Sequence, residues 1–161
     1  MGLPHQGQMK FNVDGAARGC PGPAGIGGIL TNHKGDVRVI FSKSIGVADS
    51  NLAELLAIKE AFIIFTSSRW RNDQKLVIEC DSSNAVKWIN QSHTAPWRMR
   101  KWLIQIERMK EKLMGWDVKH VRREANQRAD SLANEGVQLQ NDILRVYGND
   151  TGDPAQENLD L

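Results

Sequence analysis

The sequence predicts an α/β domain: one mixed β-sheet of five strands, with helices packed against its faces. Three observations carry this. Short apolar runs joined by tight turns open the chain. The apolar spacing then becomes helical from Ser50, and two later strand-like runs are each followed by helical sequence.

Taken in order, "MKFNVD" (9–14) reads as the first strand, and "GAARGCPGPAG" (15–25) as turn chemistry, rich in Gly and Pro. "IGGILTN" and "VRVIFSKSI" read as the second and third strands, with "HKGD" as the turn between them. Turns this short imply an antiparallel meander. From Ser50, a plausible N-cap, Leu52, Leu55, Ile58, Phe62 and Phe65 recur at helical spacing. "QKLVIECD" (74–81) is a fourth strand, and "SSNAVKWINQ" is a short helix. "PWRMRKWLIQIERMKEKLMG" (96–115) is a long amphipathic helix with Pro near its start and Gly after its end. "WDVKHV" (116–121) is a fifth strand, and "NQRADSLANEGV" is a final helix capped by Asn126.

The domain is expected over residues 9–140. Residues 1–8 read as a flexible lead and 141–161 as an acidic, disordered tail. That last stretch holds one Arg and five acids. Residues 1–140 hold 20 Lys and Arg against 14 Asp and Glu, so the overall +2 hides a basic body. Between Arg98 and Arg123, nine basic residues face three acids, with Trp97, Trp102 and Trp116 interleaved. Such a stretch is a solvated helix face or a surface for a phosphate backbone.

Cys20 and Cys80 lie sixty residues apart without a CxxC pair, so neither a zinc site nor a disulfide framework is indicated. An intracellular setting, nuclear or cytoplasmic, follows as the expectation. No apolar run is long enough to span a membrane.

Strand direction places the acids. With the first strand taken as running up, the meander sends the third strand up and the first helix down. A right-handed crossover then makes the fourth strand parallel to the first. Asp14, Glu54, Asp81 and Asp130 therefore come from four elements to one edge of the sheet, the carboxyl edge where open α/β sheets bind ligands. Each acid also fits an ordinary role. Asp81 can cap a helix, Glu54 can answer a helix dipole, Asp130 can pair with Arg123 or Arg128, and Asp14 can be a turn residue. Four such acids repel unless cations sit between them. A set of hard oxygen donors without His or Cys suits Mg2+, with Mn2+ as substitute. Two such ions suit phosphodiester hydrolysis.

With these residues in view, the chain resembles the ribonuclease H family. "FNVDGAARGCPGPAGIGGIL", "SNLAELLAI", "VIECDSSNAV" and "HVRREANQRADSLA" carry the likeness over roughly residues 9–137. "AGIGGILTNHKG", "DSSNAV" and "REANQRADSLA" point to the domains of plant retrotransposon and reverse-transcriptase-like proteins. The resemblance implies the ribonuclease H-like fold with sheet order 3-2-1-4-5. It implies endonucleolytic cleavage of the RNA strand of RNA/DNA hybrids by a two-metal-ion mechanism, in a monomer or a part of a larger polyprotein. It makes Asp14, Glu54, Asp81 and Asp130 the metal-binding carboxylates. His120, ten residues before Asp130, becomes the histidine that assists catalysis or product release from a mobile loop.

Ser50 and Asn51, and less directly Ser83 and Asn84, fall where the family contacts its hybrid. Cys20 replaces a polar loop residue that touches substrate in many relatives. The stretch between Asp81 and Trp97 is too short for the extra basic helix of some members, so Arg98, Arg100, Lys101 and the tryptophans must carry binding. The alternative is a non-catalytic nucleic-acid-binding module of the same fold. The complete acid set argues against it.

Overall fold

The computed structural model of the protein describes residues 2–148. Its strands are β1 (Gln8–Ala17), β2 (Gly22–Thr31), β3 (Val37–Ala48), β4 (Lys75–Cys80), β5 (Trp116–His120) and β6 (Ile143–Val146). Its helices are α1 (Ser50–Thr66), α2 (Ser83–Asn90), α3 (Arg100–Lys110) and α4 (Gln127–Gly136). β1, β2 and β3 form the antiparallel meander, and β4 and β5 run parallel to β1. The sheet order is β5-β4-β1-β2-β3-β6, so the expected 3-2-1-4-5 arrangement stands with one strand added.

That sixth strand corrects the expected count of five. Ile143–Val146 pairs antiparallel with β3, placing Val146 beside Val39, and Tyr147 N donates to Arg38 O at 2.8 Å. It falls in the segment expected to begin the tail at 141. Only four residues pair, in a polar context, and only Val146 is buried, so the apolar pattern is too short to announce a strand. The remainder of that tail lies outside the described residues.

Gln8 already belongs to β1, and the first hairpin is longer than its composition suggests. Ala17 pairs with Ala24 and Gly15 with Ile26, so the glycine- and proline-rich run is mostly paired strand. Only residues 18–21 form the turn.

The core lies on one face of the sheet, under α1. Leu55, Ile58, Phe62 and Phe65 of α1 are buried there with Phe11 and Phe41, whose rings meet edge-to-face at 5.7 Å. The N-cap of α1 is Asp49 and not Ser50. Asp49 is extended (φ −82°, ψ 169°) and accepts from Leu52 N at 2.8 Å, whereas Ser50 is already helical.

α3 is shorter than the 96–115 expected. A 3-10 turn at Trp97–Met99 precedes it, and beyond Lys110 the bonds tighten to three residues, as in Leu113 N to Lys110 O. Lys110 is buried there. It donates to Ile89 O at 2.8 Å and stands 4.1 Å from the Trp116 ring centre.

α4 covers the opposite face. It rests on Gly25 and Gly27 of β2, where a side chain would overlap the helix backbone at Leu132, Ala133 and Val137. Gly136 returns the arrangement against the carbonyls of Lys43 and Ile26, and Ser42 Oγ donates to Leu132 O at 2.6 Å.

Candidate active site

β1 ends its buried run on Asp14, which is 3% exposed and whose carboxylate accepts from Gly15 N at 3.0 Å. Gly15 decides how close α1 comes. Any Cβ there would overlap the backbone of Ala53 and Glu54, so its absence lets the first turn of α1 sit against β1. Glu54 is thereby brought within hydrogen-bonding reach of Asp14, and Asp130 from α4 reaches Asp14 from the other side.

Asp81 stands one residue past the end of β4. The cap of α2 is Ser82, whose side chain accepts from Ala85 N at 3.2 Å, so Asp81 does not cap that helix. One carboxylate oxygen each of Glu54 and Asp81 lies within 4.8 Å of the other. Asp130, in the first turn of α4, is met by Asn134 Nδ2 at 3.3 Å and forms no ion pair among the described residues.

These four acids line one open cleft of about 470 Å³. Burial, then Glu54, Asp130 and Asp81 beside it, pushes the Asp14 carboxyl far above the usual range. Burial, followed by the charge of Asp81, raises Glu54 as well, although the hydrogen bonds it accepts pull the other way. An apolar-backed site holding four acids is therefore strained by its own charge. Divalent cations relieve that strain, and the donors are hard oxygens suited to Mg2+ or Mn2+. The one sulfur nearby belongs to Cys80, a buried thiol that donates to Glu54 Oε2 at 3.3 Å. Its sequence context reads simply as core.

The other expected residues divide. Ser50 and Asn51 line the same cleft. His120 ends β5 opposite Cys80, and its Nε2 lies 3.2 Å from Asp81 O, so it belongs to a strand end and not to a separate loop. Ser83 and Asn84 are exposed in the first turn of α2, where Ser82 lines the cleft in their place. Arg98 ion-pairs with the α1 cap Asp49 at 2.7 Å, and Lys101 lies over the Trp102 ring at 4.3 Å. Neither lines the cleft. Cys20 is exposed in the first turn.

Several participants escape sequence reading. Asn126, expected as a side-chain cap of α4, makes no capping bond. Fully buried, it donates to Val13 O at 2.8 Å and accepts from Asn12 Nδ2 at 3.2 Å. Asn12 also donates to Glu79 at 3.0 Å, and Lys10 pairs with Glu79 at 3.5 Å. Glu79 is thus a paired acid beneath the site. Arg123 and Asn134 also line the cleft, with no motif to mark either.

The family described as reverse transcriptase-like matches residues 12–136. Ribonuclease HI of Halobacterium salinarum is 33% identical over 136 residues, covering 81% of this chain and 65% of its own length. Ribonuclease H of Methylococcus capsulatus is 31% identical, covering 82% of this chain and 92% of that protein. The crystal structure of LC11-RNase H1 in complex with RNA/DNA hybrid superposes with a TM-score of 0.74 at 28% identity. It covers 81% of this chain and 96% of that one.

Proposed function

Since the chain belongs to the ribonuclease H family, we propose that it hydrolyses the RNA strand of RNA/DNA hybrids as a metal-dependent endonuclease. The observation that carries this is the meeting of Asp14, Glu54, Asp81 and Asp130 in one cleft also lined by Ser50 and Asn51. Relatives covering most of this chain are named ribonuclease H, and LC11-RNase H1 is described with a hybrid bound. The finer reading, a retroelement-type domain, is supported by the description of the family matched, reverse transcriptase-like.

Asp14, Glu54, Asp81 and Asp130 would hold the metal, two Mg2+ ions with Mn2+ able to replace them. When bound, such ions supply an activated water and stabilise the charge that develops on the phosphate. The chain's own groups do the rest. Cys80 and Gly15 hold Glu54 against Asp14, and the buried Asn126 holds α4 against β1 so that Asp130 faces Asp14. His120, exposed and 3.2 Å from Asp81 O, would be the group that carries a proton to or from the edge of the site. Ser50 and Asn51, at the start of α1 and lining the cleft, carry hydrogen-bonding groups of the kind that would read a 2′-hydroxyl and so tell RNA from DNA.

The test is cleavage of a labelled RNA/DNA hybrid with Mg2+ against EDTA, with a DNA duplex as control. Cleavage of the RNA strand only, lost in EDTA and in Asp81→Asn while the variant still folds and binds hybrid, is the expected result. Hybrid binding without cleavage in Mg2+ or Mn2+ would replace this reading with that of a binding module.

A further inference from the structure

Within the cleft of the four acids, Arg123 is the one basic residue among those that line it. It stands in the 3-10 turn Arg123–Ala125 that joins β5 to α4. Main-chain bonds fix this turn on both sides. Val121 N donates to Cys80 O at 2.9 Å, tying the exit of β5 to the residue before Asp81. Asn126 N donates to Arg123 O, and Asp130 N to Asn126 O, each at 3.0 Å. Arg123 is therefore set between Asp81 and Asp130 by the backbone, while its side chain is exposed and makes no ion pair or hydrogen bond among the described residues. Arg123 and Asp130 also line an adjoining hollow of about 230 Å³ with Glu124 and Gln127. A chain leaving the acids in that direction passes Arg123. Its neighbour Arg122 lines neither space.

We propose that Arg123 is the cleft's phosphate-binding cation, engaging the phosphate at or next to the bond that is cut. This rests on the reading given under Proposed function and adds a residue to it. A phosphodiester brought among four carboxylates meets like charge, and a guanidinium at the rim is the chain's own answer to it. Its planar pair of donors fits two phosphate oxygens, a geometry that a lysine ammonium cannot reproduce. The free side chain is consistent with a group whose partner arrives with the substrate.

The experiment compares wild type, Arg123→Ala, Arg123→Lys and Arg122→Ala in hybrid cleavage. Anisotropy measures hybrid binding in Ca2+, and Mg2+ titration and melting serve as controls. Arg123→Ala is expected to lose about tenfold to a hundredfold in kcat/KM, with melting unchanged and no rise in the Mg2+ needed for half-saturation. Arg123→Lys should recover part of the loss, and Arg122→Ala should stay within about twofold of wild type, because its side chain is not in the cleft. Binding by Arg123→Ala should weaken about fivefold, with the salt dependence flattened by about one phosphate contact. Equal behaviour of the two alanine variants would overturn the assignment, as would full recovery of Arg123→Ala at saturating Mg2+. If wild type cuts no hybrid, the proposed function fails on its own. Arg123 is then judged by binding alone, an unchanged Kd refuting it and a weakened one supporting it.

Discussion

The side-chain amide of Asn126 donates to the carbonyl of Val13 at 2.8 Å, joining the entrance of α4 to the residue before Asp14. Two acids 116 positions apart in the chain thus hang from one buried bond. Replacing Asn126 with Ala takes its donor from Val13 O and removes one of the two acceptors of Asn12 Nδ2. The expected cost is about 2 kcal/mol of stability from denaturant unfolding. The same variant should need several-fold more Mg2+ for half-maximal cleavage, a shift that loss of global stability alone does not give when measured well below its melting point.

The charge of the site makes stability depend on pH without metal. Asp14 and Glu54 carry raised carboxyl values in the folded chain, Glu54 up to about 7, chiefly through burial. Between an unfolded carboxyl value of about 4 and those raised values, the folded state binds protons that the unfolded state has released. Metal-free stability is therefore highest on the acid side of this window and falls as pH rises through it. Melting in EDTA from pH 5 to pH 8 should show a declining Tm that Asp14→Asn makes shallower, the burial of Glu54 supplying the remainder. Mg2+ should restore stability most at the alkaline end. A Tm in EDTA that rises across this range in wild type and Asp14→Asn alike would refute the account.

Gly15→Ala tests the approach of α1 to β1. The added methyl meets the backbone of Ala53 and Glu54, which cannot swing aside as a flexible side chain can. We expect about 1–3 kcal/mol of destabilisation and a loss of cleavage larger than that of a control such as Gly46→Ala. Gly46 lies in β3, with open space where its Cβ would stand but a positive φ of +78°. The control thus carries a backbone cost of its own, which Gly15 does not, and leaves the acids undisturbed.

His120→Ala should slow turnover by about a hundredfold or less and leave hybrid binding and Mg2+ dependence near wild type. The imidazole touches the Asp81 carbonyl and not a carboxylate of the cluster. Full activity would mark His120 as a strand-end residue without a part in the reaction.

Much of this was legible in the chain because two of its signals are geometric. The change of apolar period at Ser50 separates meander from helices, and strand direction alone brings Asp14, Glu54, Asp81 and Asp130 to one edge. What stayed hidden depends on backbone angles or on pairing across the chain. Asp49 and Ser50 are both good caps, and only the extended backbone of Asp49 selects it. β6 is a strand because β3 offers an open edge, not because its four residues insist on it. Cys80 reads as packing, and nothing in the sequence reveals that its thiol points at Glu54. Asn126 suits a cap by type, and its inward turn toward Val13 follows from a partner far away in sequence. α3 stops early where Lys110 folds inward over Trp116, a tertiary contact that its periodic pattern does not anticipate.

The seating of α4 on Gly25 and Gly27 has a consequence for how freely this surface can change. Because main chain meets main chain there, and Asn126 and Ser42 bond across the inner face, the level at which Asp130 is carried does not depend on the helix's outer side chains. The exposed positions of the helix, Gln127, Arg128, Ser131 and Glu135, are released from that duty. Their side chains can be exchanged, in charge as in size, to retune how the rim greets a polyanion while the acid itself keeps its station. The helix is a fixed shelf with an interchangeable front.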